Sequence, residues 1–521
     1  MSVHDKITRH VGSVSVATAI SRILGYFRDM LVAQAFGAGM LADAFYAAYR
    51  IPNLFRRLFG EGSVSNAFIP VFSEYFETKG KDEAVKLFHV VFTVLLIILL
   101  AITFLGIVFA APLTRLIAWG FSSDPAKMSA AINLTRIMFP FLLFACMSAL
   151  LLGVLNSRKV FFAPAVAPAF LSIAEILYVV IFISIIVIPE GWQIKGLAIS
   201  VVVGGMGQYI MQHAGVSRAE IPVKLSFDFK HSGLKKIFYL MIPMMFGFSV
   251  DQLNSFVDTI CASFISEGSI AALYYSNRLM QLPLALFGIA IATVSLPHMS
   301  DSAVKNDMGE LKKTLNFSLR MALFSLLPAS IGLIILGRPI VQLLFERGAF
   351  TSTATNLTSS ALLFYSSGLI AYSVSKILAS AYYSMKDTKT PVRTAAFCMI
   401  VNVALNIALM GSLGVGGLAL ATSISSWLNA SILIVALRKK IGLLGIRKIM
   451  SSFVKILFSC CIMAAGAVLT YNSLKSAPLF ISVFSSIIVS VLLFFTASKL
   501  TNTEELNPVL SLMRKENIPD E

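Results

Sequence analysis

ADAFYAAYRIPNLFRRLFG, residues 42–60, returns 228 positions later as IAALYYSNRLMQLPLALFG, residues 270–288. In that register Tyr46 meets Tyr274, Arg50 meets Arg278, and Phe59-Gly60 meets Phe287-Gly288. A second match lies one residue out of register, with Leu151 against Leu378 and Pro164 against Pro391, and GLAIS at 196 recurs as GLALA at 417. Each match alone is weak, because apolar segments resemble one another by chance. Three in the same chain order describe a duplicated unit.

The unit is built from membrane spans. Of the 521 residues, 57% are hydrophobic and 13% charged, too apolar for an ordinary soluble surface. Runs of about the 20 apolar residues that cross a bilayer lie near 11–36, 41–60, 88–113, 130–155, 161–189, 194–213, 237–265, 270–298, 315–337, 355–385, 391–411, 414–437, 450–471 and 477–498. The expectation is an all-α polytopic membrane protein of about fourteen transmembrane helices. About six spans per repeat, an even number, give both copies one orientation. That predicts two pseudo-symmetric six-helix lobes about an axis along the membrane normal, with a central site between them. The predicted division is an N-terminal lobe at 1–213, a cytoplasmic linker at 214–236, a C-terminal lobe at 237–440, and a two-helix hairpin with a cytoplasmic tail at 441–521.

The polar start MSVHDKITRH lacks a short apolar core and cleavage site, so no removable signal peptide is expected. The net charge of +16 is spread over short loops. Alternate loops, beginning with the N-terminus, carry 26 Lys and Arg, and the intervening ones carry six: Arg115, Lys127, Lys195, Arg338, Arg347 and Lys475. The positive-inside rule then places both termini in the cytoplasm. Basic juxtamembrane loops face anionic lipid rather than nucleic acid. The five cysteines sit in apolar runs without ligand spacing and read as packing residues.

SRILGYFRDM, residues 21–30, sets Arg22, Arg28 and Asp29 inside the first span. Exposure to lipid would cost at least ~2.5–3.5 kcal/mol each, so these charges should face water or the bundle interior. From the helical rise, Arg28 lies roughly 12–14 Å, and Arg50 and Arg278 roughly 15 Å, below the outer surface. Asp43, Arg50 and Arg57, spaced seven apart, share one face of the second span. Arg28 and Asp29 point about 100° apart and cannot form an ideal pair with each other, although a purely structural reading would pair Arg28 with Asp29 or Asp43; the functional reading has Asp29 pair across helices, with Arg50 or Arg278. In the first, second and eighth spans, Arg22, Arg28, Arg50, Arg56, Arg57 and Arg278 outnumber Asp29, Asp43 and Glu61. An excess of guanidinium in a cavity calls for an outside anion, and its planar fork suits phosphate. The bland reading, internal ion pairs that only hold helices together, competes with it, above all for the two aspartates. Asn402 and Asn406, one turn apart, and Thr422 could supply oxygens to a sodium ion with Asp251 or Asp258, although such residues more often only link helices.

The stretch SRILGYFRDMLVAQAFGAGMLADAFYAAYRIPNLFRRLFGEGSVSNAFIPVFSEY, residues 21–75, closely resembles the MurJ (MviN) family of bacterial lipid II flippases, and YYSNRLMQLPLALFGIAIATVSLPHMS, residues 274–300, supports it. The resemblance covers essentially the whole chain. It implies the multidrug/oligosaccharidyl-lipid/polysaccharide exporter fold, with a terminal hairpin that receives a polyprenyl tail. It also implies alternating-access transfer of undecaprenyl-pyrophosphate-linked disaccharide-pentapeptide to the periplasmic leaflet of the inner membrane. The family's cavity charges fall on Arg22, Arg28, Asp29, Asp43, Arg57, Glu61 and Arg278. Its sodium site resembles Asn402, Asn406 and Thr422, with the seventh-span acid open and Asn406 standing where some members have Asp. No catalytic role, no bound cofactor beyond that sodium ion, a monomer, and contact with cell-wall synthesis proteins are the remaining expectations.

Two sister readings and one foreign one compete. An exporter of another polyprenyl-linked oligosaccharide would share the basic cavity, whereas an antiporter of cationic drugs should have an acidic one. A membrane enzyme acting on polyprenyl phosphates would need clustered acids, His or a nucleophile at one face, and the six His are scattered.

Overall fold

The computed structural model describes residues 3–508, with side chains described except at 3–16, 61–62 and 243–251. Every regular element among the described residues is helical. Each of the fourteen apolar runs lies on helix, and ten of the described helices are long and apolar enough to cross a membrane.

The chain forms two compact units, Met1–Ala271 with Arg347–Phe350, and Ala272–Glu346 with Thr351–Glu521. The first contains α1 (Val3–Phe36), α2 (Met40–Phe55), α3 (Ser65–Thr78), α4 (Lys81–Val108), α5 (Ala110–Ile117), α6 (Pro125–Met138), α7 (Pro140–Ser157), α8 (Phe162–Val166), α9 (Ala169–Leu177), α10 (Glu190–Arg218) and α11 (Ser232–Ser263). Between α2 and α3 the helix widens into a π-helical stretch, Arg56–Val64, four residues after Pro52 removes a backbone donor. Its core is aromatic, with Phe68, Phe72, Phe88, Phe139 and Phe141 fully buried.

α12 (Ser269–Pro283) carries the chain into the second unit, which continues with α13 (Ala290–Val304), α14 (Met308–Phe345), α15 (Ser352–Ser384), α16 (Lys389–Leu413), α17 (Val415–Ile441), α18 (Ile446–Ser473) and α19 (Leu479–Leu500). A π-helical stretch, Leu284–Ile289, follows Pro283. It holds Phe287-Gly288 as Arg56–Val64 holds Phe59-Gly60, so the repeat preserves a helix defect as well as residue identities. α15 is the buried centre of this unit. A Cβ added at Gly368 would stand 2.9 Å from Ser423 Cα, so small residues let α15 and α17 approach closely.

α18 and α19 form a hairpin against α14. Its inner side buries Ser482, Ser486 and Ser490, each bonding back to a carbonyl four residues earlier, while Phe480, Phe484, Ile488 and Leu492 face outward. Past α19, Arg320 of α14 holds Glu504 at 2.6 Å and the buried Glu505 at 3.1 Å. Between α15 and α16, Lys440 Nζ at 2.7 Å and the Thr390 amide hold the Asp387 carboxyl down to about 2. Because that value is depressed, the link contributes stability above the ordinary Asp range and loses it only as pH falls toward 2.

Candidate functional site

The charges of the first unit sort into three groups. Arg28 and Asp29 are paired with each other, contrary to the expectation from their 100° separation: Arg28 Nη2 lies 2.7 Å and Nε 3.0 Å from Asp29 Oδ1. A four-bond arginine side chain is long enough to fold back along its own helix and close the gap that the Cβ directions open. Burial supplies the drive, since Asp29 is 1% exposed and an unpaired carboxylate there would be very costly. On its other side, Arg28 Nη1 reaches Glu175 Oε1 of α9 at 3.4 Å, and Glu175 is itself buried. One guanidinium therefore serves two buried carboxylates. The residue reading missed Glu175, although a lone acid in the apolar run AFLSIAEIL was a visible signal.

Of the stripe Asp43, Arg50, Arg57, the two arginines face α11, which answers them at the same spacing. Arg50 Nε donates to Thr259 Oγ1 at 3.1 Å, and seven residues on, Arg57 Nη1 meets Gln252 Oε1 at 3.5 Å, seven residues back along α11. The two helices therefore run antiparallel with matched steps. Arg50 is half-buried, while Arg57 and, on α1, Arg22 are exposed. Tyr49, stacked on Phe45, lies within electrostatic reach of Arg28, Arg56, Arg57 and Glu175, so these charges share one neighbourhood.

Asp43 stands apart, at the Met40 end of α2, and is 1% exposed. Its Oδ2 accepts from Lys127 Nζ at 2.8 Å and from the Gly268 amide at 2.7 Å; its Oδ1 accepts from the Ala271 amide at 2.9 Å. Lys127, counted above as a loop cation, sits inside α6, buried and over the Phe121 ring. Backbones close tightly around this knot. Gly37 (φ +64°) would set a Cβ 2.3 Å from the Ala349 carbonyl oxygen, and Gly268 (φ +85°) one 2.2 Å from that of Ala38, so both need glycine.

In the second unit Arg278 is half-buried on α12. Asn402 and Asn406 are buried, and Thr422 is half-buried. Asn406 Nδ2 donates to Asn402 Oδ1 at 3.0 Å, and Asn402 Nδ2 donates to Thr422 Oγ1 at 3.3 Å. The two accepting oxygens keep a second lone pair each for a cation. Among the described residues no group of three or more His, Cys, Asp or Glu could hold a metal. Asp251 and Glu61, the remaining predicted site residues, lie outside the described side chains.

Ten helices of membrane-crossing length among the described residues define a polytopic membrane protein. The architecture is shared with an inward-facing multidrug resistance MATE family transporter of the MOP superfamily, at TM-score 0.68 and 13% identity over 84% of this chain and 98% of that one. The family model "Lipid II flippase MurJ" matches residues 32–492. A "Probable lipid II flippase MurJ" from Vibrio cholerae is 40% identical over 427 residues, 81% of each chain, and the "Lipid II flippase MurJ" of Burkholderia cenocepacia is 34% identical over 432 residues, 82% of this chain and 83% of that one. A solved lipid II flippase MurJ in an inward closed conformation superposes at TM-score 0.79 with 30% identity, covering 94% of this chain and 98% of that one. The chain belongs to the lipid II flippase MurJ family.

Proposed function

We propose that this protein carries undecaprenyl-pyrophosphate-linked disaccharide-pentapeptide from the cytoplasmic to the periplasmic leaflet of a bacterial inner membrane. It does so as a monomer, by alternating access, with both termini in the cytoplasm. The observation that carries the reading is the family match over nearly the whole chain. The chemistry agrees with it: Arg22, Arg28, Arg50 and Arg57 supply guanidinium forks of the kind that grip a diphosphate, and Arg278 is the repeat partner of Arg50. An antiporter of cationic drugs would meet the wrong sign of charge. The six-plus-six lobe organisation follows the repeat, and the outward apolar side of the α18–α19 hairpin suits a polyprenyl tail. Glu61 completes the set of cavity charges. Sodium coupling would use the oxygens of Asn402, Asn406 and Thr422 with the charge of Asp251.

Depletion of the protein with leaflet-resolved quantification of lipid II tests the function. The expected result is loss of the periplasmic pool, and a normal pool in a cell with no second flippase would remove the reading.

The orientation is tested separately by cysteine labelling in a background in which the exposed Cys461 is replaced. Ser476→Cys should react with a membrane-impermeant thiol reagent in intact cells, and Lys439→Cys should not; both positions are exposed. Ser269, although in an outer loop by the charge pattern, is fully buried and is a poor reporter. Labelling at Lys439→Cys would invert the topology.

A further inference from the structure

α5 and α6 line an open polar pocket of about 390 Å³ at the end of the first unit that the basic-loop asymmetry places outside. Arg115 of α5 and Arg136 of α6 line it together with Ser122, Ser129 and Asn133. Its geometry is built. Thr114 and Thr135, each the residue before one of the arginines, share a buried hydroxyl hydrogen bond of 2.9 Å that fixes the register of the two helices. Ser129, Asn133 and Arg136 then follow at i, i+4 and i+7 on one face of α6. Lys127 leaves by the opposite face toward Asp43, so α6 separates a paired cation from this one.

The lining contains no carboxylate, and among the described residues neither guanidinium forms an ion pair. Asp124, the nearest acid in sequence, caps α6 by accepting from the Ala126 and Lys127 amides. Two arginines close together without a counter-charge call for an anion. The neighbouring surface says what carries it: Phe109, Leu116 and Trp119 are each more than half exposed, an apolar and aromatic border of the kind that meets lipid at the membrane interface. The cavity is also within the size range of small-ligand sites, about 300–1,000 Å³.

We propose that this pocket holds the phosphodiester headgroup of an anionic membrane phospholipid. Arg115 and Arg136 grip the phosphate, and Ser122, Ser129 and Asn133 bond the remaining headgroup oxygens. The leaflet rests on the orientation argued above; the site does not.

Thermal unfolding of the purified full-length protein tests it, with added phosphatidylglycerol, phosphatidylcholine or inorganic phosphate. Phosphatidylglycerol should raise the melting temperature of the wild type beyond phosphatidylcholine, with the same increment in Lys475→Gln, which removes an exposed cation elsewhere. In Arg115→Gln/Arg136→Gln the extra increment should vanish, the apparent affinity falling roughly tenfold or more. Both residues are exposed, so the variant should fold, and each single substitution should lose part of the increment. Full retention of the increment in the double variant would overturn the site. An equal increment from inorganic phosphate in wild type, lost in the double variant, would overturn the lipid as ligand.

Discussion

Arg28→Ala should abolish growth of a strain that depends on this protein, while Glu175→Gln should keep or tighten binding of lipid II and slow its transfer. The two variants divide a question that the geometry poses. Arg28 holds two buried carboxylates, so its removal takes a cation from both, and breaking a buried pair by deleting one partner typically costs about 3–5 kcal/mol. Loss of growth with Arg28→Ala therefore counts only at normal protein abundance. Glu175→Gln is milder, because the amide keeps the shape and only one of the two negative charges goes. If Arg28 binds the substrate diphosphate, Glu175 competes with that anion for the same Nη1. Removing its charge then stabilises the loaded state and retards release. Binding of purified protein to lipid II, read beside complementation, decides the matter. Unchanged binding together with unchanged growth would make Glu175 a structural clamp and leave Arg28 without a displaceable partner.

What could be read from the chain followed from its local periodicities. Ten of the fourteen apolar runs coincide with helices of membrane-crossing length, because the bilayer dictates that length, and Arg50 and Arg57 kept their seven-residue step, because helical geometry sets it. The repeat also carries a shared helix defect at Phe59-Gly60 and Phe287-Gly288 that the matching residues did not announce. Illegible were the partners. Glu175 is 147 residues from Arg28 and Lys127 is 84 from Asp43, and no local pattern announces which helices pack. Lys127 misled further, since a cation three residues past Asp124 reads as loop until the Asp124 cap and Pro125 are seen to begin α6 beneath it. The Arg28–Asp29 pair, named only under the structural reading, was disfavoured by Cβ direction, which takes no account of side-chain length or of the cost of burying a carboxylate.

Asp43→Ala should be the most destabilising single change at the Met40 end of α2, with most of the stability returning in Asp43→Ala/Lys127→Met. Alone, the substitution leaves a buried ammonium and the Gly268 and Ala271 amides without their acceptor, a loss of about 3–5 kcal/mol for the charge pair alone. Adding Lys127→Met removes the stranded charge and refills its volume with an apolar side chain, so the coupling in a double-mutant cycle should be large and of compensating sign. Lys127→Met by itself should be tolerated better than Asp43→Ala, because the carboxylate keeps two amide donors. The same four proteins separate structure from gating when transport is measured alongside unfolding. If stability returns in the double variant and transport does not, the Asp43 carboxylate acts in the transport cycle as well as in the fold. If both return, Asp43 is only a clamp. An unfolding temperature unchanged by Asp43→Ala would show that the buried pair does not hold this end of the unit at all.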